Sequence, residues 1–141
     1  MAPKDPKLEL LRSIPLFAHL GSHEIERLGQ LFDEVDVPAG KVLMRQGQPG
    51  SEVFVVASGR LAIERDGKVI ADKGAGEVIG EIALLSEGPR TATVTTTEPS
   101  RLFVLGHREF HALMSENPGL QRAIMDGLAQ RIRALEVDVA H

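Results

Sequence analysis

The chain has 141 residues, 43% of them hydrophobic and 26% charged, with 16 Lys plus Arg against 20 Asp plus Glu, a formal charge of -4 and no cysteine. That length suits one domain that can bury a core without staples, and the acidic balance disfavours sequence-independent nucleic-acid binding. Without cysteine there are no disulfides, thiolate metal sites or cysteine nucleophiles, and without Trp or Tyr few residues are left for base-stacking platforms.

The opening residues MAPKDPKLEL carry Lys4, Asp5 and Lys7 where an export leader needs an apolar stretch. No apolar run approaches the ~18 residues of a membrane span, so the expected compartment is the cytoplasm. Over residues 7–33, apolar positions at Leu8, Leu11 and Ile14, then Ile25, Leu28, Leu31 and Phe32, recur at helical spacing. They predict two short helices, broken at Pro15, with Ser22 as N-cap of the second.

From residue 34 to 105 the period changes. Short runs of Val, Ile and Thr are punctuated by glycine every ~8–12 residues, the mark of an antiparallel sandwich or barrel. About eight strands are expected, near 34–37, 42–45, 53–57, 60–65, 68–72, 77–79, 91–97 and 101–105. Asp66-Gly67 suits a tight hairpin, and Leu61, Ile63, Val69 and Ala71 show the alternation. The Thr95-Thr96-Thr97 run reads as a strand end. After Gly106 the helical period returns at Phe110, Leu113 and Met114, and again at Leu120, Ile124, Leu128, Ile132 and Leu135. Asn117 and Pro118 are placed to cap and start the last, long amphipathic helix.

One stretch does not fit a hairpin: GEIALLSEGPRTATV, from Gly80 to Val94. Its Ile82 to Leu85 core is long enough for a single helical turn, and Gly88-Pro89 returns the chain to a strand. Amides at the start of such a turn attract an anion. Arg90 can offer a guanidinium fork to phosphate oxygens, and Glu81 can accept from a hydroxyl. One anion with one hydroxyl describes a ribose phosphate.

This segment resembles the phosphate-binding cassette of cyclic nucleotide-binding domains, and the resemblance extends over the whole chain. It implies a mainly β fold: an eight-stranded jelly-roll-like barrel over 34–105 holding the cassette at 80–94, with helices at 7–33 and lid helices at 107–138, in a single domain of residues 1–141. It further implies that Glu81 accepts from the ribose 2′-hydroxyl and Arg90 pairs with the cyclic phosphate of cAMP or cGMP. Gly80, Ile82, Ala83 and Ala92 would line the site, and Thr91 would donate near the phosphate or the purine. Ile63, Val69 and Val78 are candidates for the apolar wall, and Arg131 for a lid contact to the purine. The choice of base stays open.

The implied function is non-catalytic sensing, in which binding moves the last helix. No cofactor is expected besides the nucleotide ligand. A cupin-like metalloenzyme is the rival, but His19, His23, His107, His111 and His141 all fall outside the strand region, and the His107/His111 pair lacks a third ligand. The outer face of the last helix offers a seam for a homodimer. Six residues follow Leu135, too few for a helix-turn-helix, so direct DNA binding is not expected from this chain. The output partner, whether a transcription regulator, a channel or another protein, is not legible.

Overall fold

The computed structural model describes residues 5–81 and 88–140, and they divide into two compact units: residues up to Gln30 together with those from Ala112 onward, and Leu31–His111. Helix α1 (Pro6–Arg12), a 3-10 turn (Pro15–Phe17) and α2 (Ser22–Leu31) open the chain; α3 (His107–Glu116) and α4 (Pro118–Ala140) close it.

In the helical unit, side-chain and backbone caps fix the ends. Asp5 accepts from the Lys7 amide at 2.9 Å and starts α1. The cap of α2 is Gly21, not Ser22 as expected: the Gly21 carbonyl accepts the first intrahelical bond, from the Ile25 amide at 3.0 Å. Ser22 therefore occupies the first helical position, where its hydroxyl accepts from Arg12 Nη2 at 3.2 Å. Asn117 does cap α4 through its carbonyl, which accepts from the Gln121 amide at 3.1 Å. Its side chain faces both ways, donating to the Leu113 carbonyl at 2.9 Å and accepting from Arg27 Nη1 at 3.0 Å. A single amide thus joins the end of α3 to α2.

The second unit is the barrel, with ten strands among the described residues: β1 Asp33–Val37, β2 Val42–Met44, β3 Pro49–Gly50, β4 Glu52–Ser58, β5 Leu61–Arg65, β6 Lys68–Lys73, β7 Val78–Ile79, β8 Gly88–Pro89, β9 Thr93–Thr96 and β10 Ser100–Gly106. Two antiparallel four-stranded sheets run β1-β10-β4-β7 and β2-β9-β5-β6, with β3-β8 as a separate small ladder. Apart from that ladder, the strand order is that of a double-sheet jelly roll. The two additional strands are Pro-Gly and Gly-Pro pairs, which sequence rules read as breakers rather than strands. Alternating side chains from both sheets, including Met44, Phe54, Leu61, Ile79, Val94 and Leu102, form the buried core.

The β5–β6 hairpin turns on Asp66 and Gly67, both at positive φ (54° and 80°), the signature of the turn that best matches strand twist. Gln46 clasps it, donating to Asp66 Oδ1 at 2.8 Å and accepting from the Asp66 amide at 2.9 Å. Pairing then slips: Ile63 faces Ala71, but Glu64 faces Val69, leaving Ile70 as the extra residue of a bulge.

Thr96 has a larger role than a strand end. Only 1% exposed, its hydroxyl donates to the Pro38 carbonyl at 2.7 Å and accepts from the Lys41 amide at 2.8 Å. Its own amide donates to Lys41 at 2.9 Å and its carbonyl accepts from Gly40 at 2.7 Å, so one residue ties down the β1–β2 turn. Thr96→Val is expected to cost about 1–3 kcal/mol by stranding the Lys41 amide and the Pro38 carbonyl. Urea unfolding measures it, and an unchanged midpoint would show that the turn is held by the backbone alone.

Candidate functional site

A cavity of about 310 Å³ opens in the barrel unit, within the size range of small-ligand pockets. Ile63, Ala71, Val78 and Val94 supply an apolar wall, while Gly80, Arg90, Thr91 and Ala92 bring the backbone of the cassette and one guanidinium to it. Six of the sequence-derived candidates therefore meet here: Ile63, Val78, Gly80, Arg90, Thr91 and Ala92.

Arg90 is positioned from three directions. Its backbone is clamped beside the β3–β8 ladder, with its amide donating to Gln48 at 2.8 Å and its carbonyl accepting from Gly47 at 2.8 Å. Its guanidinium donates from Nη2 to the Glu52 carbonyl at 2.7 Å. Two glycines clear the space: a methyl at Gly50 would overlap the guanidinium, and one at Gly80 would lie 2.7 Å from Nη1. Gly80 also holds φ at +78°, a conformation that side chains with a Cβ rarely adopt. Backbone approach, not side-chain packing, makes the slot.

Burial holds the Arg90 guanidinium below its ordinary pKa, an effect that the nearby Glu52 carboxylate partly offsets. A guanidinium nevertheless stays charged at any physiological pH. The slot therefore presents a permanent, partly desolvated cation with forked donors, and an arriving anion would favour that charged form. Arg90 also borders a smaller hollow of about 190 Å³ lined by Gln48 and Glu52.

The remaining candidates are placed differently. Glu81 directly follows Gly80 and its Oε2 is shielded from solvent; among the described residues, the cavity wall does not include it. Val69 is not in the wall either. It is 63% exposed, because it pairs with Glu64, on the face opposite to Ile63, while the bulge at Ile70 resets the alternation so that Ala71 faces in with Ile63. Ile82 and Ala83 lie outside the described residues, as does the side chain of Arg131, which belongs to α4.

Sequence reasoning did not single out Arg65, Ile70, Met44 or Gly50, all of which border the cavity. The pairing of Glu64 with Val69 was within reach from the Asp66-Gly67 turn, whereas the bulge that sets Ala71 opposite Ile63 was not. Among the described residues there is no cluster of three His, Cys, Asp or Glu side chains able to hold a metal ion, and no helix is long and apolar enough to cross a membrane. His107 and His111 lie ring to ring, with centroids 4.1 Å apart.

Residues 34–117, more than half of the chain, match the family described as Cyclic nucleotide-binding domain. The chain belongs to this family. The N-terminal domain of a transcriptional regulator from Streptomyces coelicolor A3(2) is 34% identical and superimposes with a TM-score of 0.83, covering 89% of this chain and 94% of that one. The regulatory domain of Toxoplasma gondii PKA, crystallised with cAMP, is 32% identical with a TM-score of 0.72, over 78% of this chain and 46% of that one. A cyclic nucleotide-gated potassium channel of Rhizobium etli is 32% identical over 123 residues, 87% of this chain and 34% of the channel. The chain spans about a fifth to a third of the length of the first curated relatives it matches, 21% to 34%.

For this cyclic nucleotide-binding domain, the glycine slot generates a specific expectation. Gly50→Ala should push the Arg90 guanidinium out of place and weaken nucleotide binding, with the barrel still folded. Combined with Arg90→Ala it should add no further loss, because Gly50 acts by leaving room for that same guanidinium. Calorimetric titration of the two single variants and the double variant checks this; additive losses would mean that Gly50 acts independently of Arg90.

Proposed function

We propose that this domain is a non-catalytic sensor of a cyclic nucleotide monophosphate, cAMP or cGMP, bound in the barrel cavity. The observation that carries the reading is Arg90: a permanent cation, half-withdrawn from water, held at the edge of an otherwise mostly apolar cavity. A cyclic nucleotide has the complementary form, a monoanionic phosphate ester attached to an apolar-faced purine. The Toxoplasma relative that was crystallised with cAMP supports the same ligand class.

In this reading the cyclic phosphate pairs with Arg90 and with backbone groups of Ile82 and Ala83. Glu81, next to Gly80, accepts from the ribose 2′-hydroxyl. Thr91 and Ala92 line the approach, and Ile63 and Val78 receive the purine by burial and dispersion, which tolerate either base. Arg131 on α4 is assigned to the purine in the ligand-bound state. Signal arises if the nucleotide has a higher affinity for one arrangement of α4 than for another, since a ligand shifts an equilibrium only by its differential affinity. The output, in a channel, a transcription regulator or another partner, then depends on what that helix is joined to.

Calorimetric titration with cAMP and cGMP tests the reading. Micromolar binding of at least one nucleotide is expected, and a folded protein that gives no heat with either would refute it. Arg90→Ala and Glu81→Ala should each lose about 1.5–3 kcal/mol, the worth of a hydrogen bond to a charged group. Unchanged affinity in both variants would remove these residues from the site.

A further inference from the structure

We propose that Arg65 reads the edge of the purine and biases the cavity toward a base with an oxygen at C6; this rests on the nucleotide reading above. Arg65 ends strand β5, two residues after Ile63, so strand alternation puts both on the cavity side, and both belong to its wall. Its Nε donates to the Thr91 carbonyl at 3.1 Å. That bond holds the guanidinium at the cavity beside the residue that follows Arg90.

Arg65 and Arg90 are held differently. Arg90 lies in the glycine slot against Glu52, where an anion completes its surroundings. Arg65 is exposed, and shares its part of the wall with Ile63, Ile70 and Ala71, side chains suited to the faces of a purine rather than to a phosphate. A guanidinium offers donors and no acceptor. Guanine presents two neighbouring acceptors, O6 and N7, that match a guanidinium fork. Adenine presents the N7 acceptor beside an N6 donor, and two donors facing each other repel. Arg65 is thus a specificity residue, acting on the base while Arg90 acts on the phosphate.

The test measures affinities for cAMP, cGMP and inosine 3′,5′-cyclic monophosphate, which keeps O6 and N7 but lacks guanine's 2-amino group. Arg65→Ala should weaken the guanine and inosine nucleotides roughly 5- to 100-fold, the range of one bidentate base contact, and leave cAMP nearly unchanged, which also shows that the variant is folded. Arg65→Gln, whose amide matches adenine's N6 and N7, should move the preference toward cAMP. Equal weakening of all three nucleotides by Arg65→Ala would mean a phosphate or general charge role, and no change in any would mean no role; either overturns the assignment while leaving the nucleotide reading intact. If the unaltered protein binds none of the three, the nucleotide reading itself fails.

Discussion

Withdrawing a guanidinium from water costs free energy unless hydrogen bonds or an opposite charge replace its hydration. Arg90 is in that position. Burial pushes its pKa down, and among the described residues the Glu52 carbonyl accepts a charge-assisted bond from it while the Glu52 carboxylate partly offsets the shift. The rest of the barrel's local design follows from keeping that cation in place. Gly50 and Gly80 leave room for it, and the β3–β8 ladder with the Gln48 and Gly47 bonds fixes the backbone from which it projects. These contacts fix the direction of the donors, so an anion bound there would require little reorganisation of them.

A net charge of -4 does not oppose this. Exposed charges are screened beyond about 10 Å at ordinary ionic strength, while a half-buried cation beside an apolar wall is screened less. Local geometry therefore outweighs the overall balance, and an acidic chain can still favour a small monoanion at one site. Arg65 complements this division of labour. It is exposed and tethered by a bond to a backbone carbonyl, so it contributes direction rather than charge.

Where the backbone obeys local chemistry, the sequence was legible. Asp66-Gly67 signals its turn because a tight hairpin needs positive φ at both positions, and Asn117-Pro118 signals a helix start for equally local reasons. Arg90 was legible because glycine, acid, proline and arginine fall together in one short segment. What escaped depends on tertiary pairing. Pro49-Gly50 and Gly88-Pro89 look like breakers and become a ladder only against each other. Val69 reads as inward by alternation, which cannot reveal the one-residue bulge at Ile70. Thr96 looks like any strand threonine until its hydroxyl meets the turn at Pro38 and Lys41. Arg65 resembles a solvent-facing strand arginine until Thr91 is brought beside it.

The most direct measurement of the central claim is the nitrogen NMR signal of the Arg90 guanidinium, assigned by comparison with Arg90→Lys and followed while cAMP or cGMP is added. Direct pairing predicts that this signal moves and its protons become protected from exchange with water, saturating in step with the heat of binding. A nucleotide that binds and saturates while the Arg90 signal stays unchanged would contradict the account.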